Sequence, residues 1–173
     1  MIGLDRERWV SELLDRLEAP LLRYAVRLVG ELETARDMVQ DAFLRLCRQE
    51  AGPLIGRERE WLYAVVRNRA IDHLRKEGRM HATDAERFAE TPGEGAGPEA
   101  GMQAADRGAF LRQHVDRLPP RDQELLRLKF QDGLSYAAIA EITGLSISHV
   151  GVILHHAIRK LRERLAPYEG SLA

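Results

Sequence analysis

The chain holds 173 residues, with 26 Lys and Arg against 27 Asp and Glu, a formal net charge of -1 and one cysteine. That length accommodates one domain or two small ones, and the near-neutral balance excludes polyanion binding by bulk charge alone. A single cysteine excludes a disulfide framework, and there is neither a stretch of about 20 apolar residues nor a basic-then-apolar leader. The expectation is therefore a soluble, cytoplasmic chain without membrane insertion.

From Trp9 to Arg79 the apolar periodicity is helical and no alternating strand pattern competes with it. Trp9, Val10, Leu13, Leu14 and Leu17 form a first stripe. Leu21, Leu22, Ala25, Leu28 and Val29 form a second, with Pro20 suited to its first turn and Gly30 to its end. A third helix is predicted from Thr34, whose hydroxyl can cap it while Asp37 favours its positive start. Ala35, Met38, Val39, Ala42, Phe43, Leu46 and Cys47 line its apolar side, making Cys47 an expected buried, reduced thiol. Asp37, Gln40 and Asp41 fall on the opposite face. After the Gly52-Pro53 break a long helix is predicted over 58–77, carrying Trp61, Leu62, Val65, Val66, Ile71 and Leu74. Arg67, Arg69, Arg75 and Lys76 on it can hold phosphates.

Residues 81–107 are rich in Gly, Pro, Ala and acids with almost no large apolar side chains, the composition of a linker. These 27 residues would span roughly 29 Å as a flexible coil and about 90 Å fully extended. Lys and Arg outnumber Asp and Glu by 7 to 4 over 54–80 and by 9 to 6 over 108–166, whereas 81–107 holds 2 against 6. Two locally basic modules thus flank an acidic connector. It serves either as a plain spacer or to discourage contact with stray nucleic acid.

The second module opens near Gly108. Phe110, Leu111, Val115 and Leu118 predict a helix ended by Pro119-Pro120, and Leu125, Leu126, Leu128 and Phe130 a second from Arg121 to about Gln131. A short helix from Ser135 to Thr143, a turn at Gly144-Leu145 and a further helix capped by Ser146 then have the layout of a helix-turn-helix, or of an ordinary helical hairpin. Ile139, Ile142 and Leu145 are expected to meet Val150, Leu154 and Leu161, leaving the face around Ser148, His149, Gly151 and Val152 for a groove. His149, His155 and His156 do not make a metal set. Two are adjacent and point about 100° apart, and no Cys or acidic ligand completes them. With no phosphate-cradling Gly loop or nucleophile motif either, no cofactor and no catalysis are expected.

Ala35 to Leu46, ARDMVQDAFLRL, resembles the polymerase-binding helix of bacterial sigma-70 family factors, specifically the small two-domain extracytoplasmic-function (ECF) group. Trp61 to Lys76, WLYAVVRNRAIDHLRK, is similar to the segment that opens and reads the -10 element in that family. The helix-turn-helix resembles its -35-binding module. The resemblance covers both modules but not the linker. It implies an all-α chain of two small helical domains: region 2 over 1–80, a flexible linker over 81–107, and region 4 over 108–173.

It further implies that Asp37, Gln40 and Asp41 dock on the clamp of the largest catalytic polymerase subunit. The -10 set would be Trp61, Tyr63, Arg67, Asn68, Arg69, Arg75 and Lys76. For Trp61 packing in the helical core is the stronger expectation. The -35 set would be Ser146, Ser148, His149, Gly151, Val152, His156, Arg159 and Lys160. Implied partners are core RNA polymerase, through its clamp and flap regions, promoter DNA and an anti-sigma protein. Two departures stand out. Arg57, Glu58, Arg59 and Glu60 replace the aromatic or small polar residue usual before the Trp, and Gly151, Ile153 and His156 replace basic residues at the start of the reading helix. Fewer charges there mean fewer released counterions and weaker, less salt-sensitive binding. Val152 and Ile153 can meet thymine methyls or a protein partner, while Arg159, Lys160, Arg162 and Arg164 remain for phosphates. Two rival readings stay open: a free-standing DNA-binding regulator using only the C-terminal module, and a protein-interaction module that has lost DNA contact.

Overall fold

A computed structural model describes residues 3–78 and 104–168. Its helices are α1 (Gly3–Val29), α2 (Leu32–Arg48), α3 (Glu58–Lys76), α4 (Ala104–Asp116), α5 (Pro120–Phe130), α6 (Tyr136–Thr143) and α7 (Ile147–Leu165). Short 3-10 turns lie at Gly52–Leu54 and Ala166–Tyr168, and there is no strand among the described residues. The all-α, two-unit expectation is met. One compact unit holds α1, α2 and α3 and takes in Ala140–Gly144 from the end of α6, and the other holds α4, α5, the start of α6 and α7. Most of the predicted linker, up to residue 103, lies outside the described residues, and its last positions belong to α4, which begins at Ala104 rather than Gly108.

In the first unit three helices bury one core. Leu13, Leu17, Leu21, Tyr24, Ala25 and Val29 of α1 meet Met38, Val39, Phe43 and Leu46 of α2 and Leu62, Tyr63 and Val66 of α3, all buried. Ala35, Ala42 and Ala70 are fully buried where the helices approach each other, since a methyl side chain lets backbones come close. The two stripes expected on either side of Pro20 are one helix, with Pro20 inside it. Proline in a helix interior costs about 3 kcal/mol. Each fully buried Leu returns about 1.5–3 kcal/mol, and Leu13, Leu17 and Leu21 continue a single buried stripe across the proline. Tertiary burial therefore overrides the local signal.

Two other local expectations are corrected. α2 starts at Leu32 behind an extended Glu31, and the Thr34 hydroxyl, instead of capping the backbone, donates to the Glu31 carboxylate at 2.6 Å. Cys47 is exposed. Leu46, fully buried, takes the core position, and the next residue is turned about 100° away from it. At the same end of α2 the Arg6 guanidinium donates to the carbonyls of Cys47 and Gln49, supplying donors to a helix terminus that otherwise lacks them. Gly30, at φ 79, ends α1 in the left-handed conformation that side chains disfavour.

The second unit forms around Phe110, His114, Leu118, Leu125, Leu128, Val150, Leu154 and Ala157. His114 belongs to this core: its Nδ1 lies 2.9 Å from the Phe110 carbonyl and its ring 4.4 Å from the Phe110 ring. α5 opens on Pro120, whose missing N–H is not needed in a first turn. No single helix among the described residues is long and apolar enough to cross a membrane.

Candidate nucleic-acid and partner interfaces

The outward face of α2 carries Asp37 and Gln40, both exposed and one turn apart. Arg36, next to Asp37, is engaged by Glu33 at 2.6 Å. Asp41 differs from its two neighbours. Its Oδ2 forms ion pairs with Arg45 Nε at 2.9 Å and Arg69 Nε at 3.2 Å, so it braces α2 against α3. One member of the predicted polymerase face thus holds one member of the predicted -10 set. All three side chains are a third to a half exposed, and such pairs contribute roughly 0.2–1 kcal/mol. A double-mutant cycle with Asp41→Ala and Arg69→Ala should return about 0.5 kcal/mol of coupling in thermal unfolding. A value near zero would leave the brace without energetic weight.

Beside this face α1 and α2 form a groove of about 460 Å³, lined mainly by apolar side chains such as Val10, Leu14, Leu22, Phe43 and Leu44, with Glu18, Arg36 and Gln40 also in its wall. Sequence reading missed it. The available signal was Leu44, which is 52% exposed and one turn beyond Gln40 on a face otherwise polar.

On α3, Trp61, Asn68, Asp72 and Arg75 share the outward side, given about 100° per residue. Trp61 is half-exposed, while Asn68, Arg69, Arg75 and Lys76 are exposed and Arg67 is half-buried. Asp72, also exposed there, was not singled out from sequence. Tyr63 requires a correction. It is fully buried, with its ring 5.1 Å from that of Tyr24 and the Arg59 guanidinium 5.8 Å above it. A ring with no exposed face has none for a base to stack on, so Tyr63 is a core residue. The departure before Trp61 is also structural in part, since Glu58 accepts from the Gly56 backbone N–H at 2.9 Å and the Trp9 indole at 3.3 Å.

The helix-turn-helix is present rather than an antiparallel hairpin: α6 and α7 are bent by 105° across the break. Gly144, at φ 73, makes the turn, a conformation costly for other residues. Ser135 Oγ accepts from the Ala138 N–H and Ser146 Oγ from the His149 N–H, both at 3.1 Å, so each hydroxyl caps a helix start. Ser148, His149, Val152, His155, His156, Arg159 and Lys160 are exposed, whereas Ile153 is half-buried. A side chain at Gly151 would begin 3.7 Å from the Tyr136 ring, so this position faces α6.

Two of the basic residues farther along α7 are engaged. Arg159 lies 3.3 Å from His156 Nδ1 and 3.7 Å from Glu163, and Lys160 lies 3.8 Å from Asp122. Burial raises the Asp122 carboxyl above its ordinary value, and Lys160, Arg121 and His156 oppose that rise.

An all-helical chain of two compact units that ends in a capped, sharply bent helix-turn-helix has the architecture of a DNA-binding protein. The family description of sigma-70 region 2 matches residues 13–80, and that of sigma-70 region 4 matches residues 111–161. The ECF RNA polymerase sigma factor SigL of Mycobacterium tuberculosis is 31% identical over 152 residues, covering 87% of this chain and 85% of SigL. SigW of Bacillus subtilis is 25% identical, covering 90% and 88%. SigE of Mycolicibacterium smegmatis is 29% identical over 94% of this chain, which spans 64% of the length of SigE. Among solved structures, the sigma factor RpoE in complex with the anti-sigma factor NepR, from Bartonella quintana, shares the fold. There the TM-score is 0.61 and the identity 24%, covering 92% of this chain and 98% of RpoE. The chain belongs to the sigma-70 family, in its extracytoplasmic-function group.

Proposed function

We infer that this chain is a transcription initiation factor that binds core RNA polymerase and directs it to promoters, its first module melting the -10 element and its second anchoring at -35. The observation that carries the reading is that both family regions are matched in one chain and in order. A repressor-like regulator needs only the second. The module bounds are 1–80 and 108–173, with the helix from Ala104 leading into the second.

Within the first module the docking surface is Asp37 and Gln40, with Leu44 and the α1–α2 groove supplying the apolar centre that protein interfaces combine with a polar rim. Asp41 supports that surface from its tie to Arg69. Asn68, with Arg75 and Lys76 for phosphates and Trp61 beside it, is the surface for unpaired bases. Holding extruded bases requires a few kcal/mol of binding and no covalent chemistry. The chain is therefore not itself an enzyme, and it acts with polymerase in the cytoplasm. An anti-sigma protein is a further partner, as the complex of the related RpoE suggests.

Footprinting tests this reading against a free-standing regulator. With core polymerase the chain should protect two patches about two helical turns apart on one promoter, and without polymerase it should protect neither. A pseudo-palindromic footprint from the chain alone would overturn the reading.

A further inference from the structure

Ser148, Val152 and Arg159 lie on one line of α7, because steps of four and seven residues return a helix to nearly the same side. All three are exposed, Val152 by 53%. A single exposed apolar side chain is ordinary on a protein surface. Its position distinguishes this one, since Val152 stands at the centre of the outward face in the early half of the second helix of a helix-turn-helix, the part that meets base edges. From Leu145 to Ile158 the chain has no Lys, Arg, Asp or Glu, so phosphate attraction is confined to Arg159 and beyond and does not account for what the early half of this helix recognises.

We propose that Val152 is a specificity residue that reads the C5 methyl group of one thymine in the -35 element, a role that rests on the promoter reading above. Valine can neither donate nor accept a hydrogen bond, and the thymine methyl is the one apolar group on a base edge in the major groove. Its β-branched side chain has one strongly preferred rotamer in a helix, so it is presented with little ordering cost. Ser148 and His149, one turn back, supply hydrogen-bonding groups to the neighbouring edges.

The surroundings favour DNA over a docked protein. Along the same helix the exposed positions three to seven residues either side of Val152 include Ser148, His149, His155, His156 and Arg159. Ile147 lies about 140° round the helix, and Ile153 is half-buried. One exposed apolar side chain among polar ones on its side of the helix suits a base edge; a protein-docking patch requires contiguous apolar surface.

The test uses the full chain with core polymerase on a promoter whose -35 element has been located by transcript mapping. Each thymine of that element is replaced in turn by deoxyuridine, which removes only the methyl group. At one position the replacement should weaken holoenzyme binding about fourfold, the weight of one buried methyl-sized group. Val152→Ala should lose a similar factor on the thymine duplex and then bind thymine and uracil duplexes equally. The proposal is overturned if no position responds to uracil, or if Val152→Ala still responds. Absence of any promoter-selective complex on unsubstituted DNA would instead overturn the initiation-factor reading beneath it.

Discussion

Asp37→Arg is expected to weaken association of the chain with core polymerase roughly 30-fold, about 2 kcal/mol, while leaving its thermal unfolding within about 0.5 kcal/mol of the parent. The two effects separate because Asp37 is exposed and its neighbour Arg36 is engaged by Glu33. Reversing the charge disturbs no internal pair and places a cation on the face proposed to dock on polymerase. Gln40→Ala should act in the same direction and more weakly, since it removes a neutral hydrogen-bonding group. Titration of labelled chain with core polymerase, beside an unfolding curve, measures both quantities. Unchanged affinity for Asp37→Arg would remove this face of α2 from the interface.

Tyr63→Ala should have the largest effect on stability, about 3–5 kcal/mol by comparison with buried aromatic truncations. A helical unit of this size has on the order of 4–11 kcal/mol in total, so the substitution consumes much of it and lowers the midpoint by roughly 15 °C or more. Tyr63 is fully buried and its ring meets that of Tyr24. The cavity opens between α1 and α3, where no exposed side chain can fill it. Asn68→Ala, on the exposed side of the same helix, should leave unfolding nearly unchanged and impair promoter opening instead. Calorimetry of both variants discriminates the roles. A Tyr63→Ala chain that melts like the parent yet fails to open promoters would return Tyr63 to the DNA surface.

These two residues also show where the sequence was legible. Helix periodicity, the Pro119-Pro120 break, the left-handed Gly144 and the Ser146 cap are local signals, and α3, α5, α6 and α7 follow them closely. Asp37 and Gln40 could be placed outward because the apolar stripe of α2 leaves them no other side. Apart from the Thr34 hydroxyl, which turns to Glu31 within its own helix start, and the earlier start of α4, the misreadings depend on a second helix. Pro20 looks like a helix start until the stripe from Leu13 to Leu21 is buried as one. Cys47 and Tyr63 sit at the margins of apolar stripes, and the neighbouring helix decides which margin closes: it covers Tyr63 and leaves Cys47 open. The ion pair of Asp41 with Arg69 joins residues on α2 and α3, and no spacing rule within either helix encodes it. The same holds for Gly151, whose role emerges only beside Tyr136.

The most direct measurement of the central claim is 5′-end mapping of transcripts made by core RNA polymerase alone, with this chain, and with its Asp37→Arg variant. Discrete start sites sharing two sequence elements about two DNA turns apart should appear with the chain, be absent with core alone, and be strongly reduced with the variant. Transcripts that are identical with and without the chain, at concentrations where it occupies the polymerase, would contradict the account.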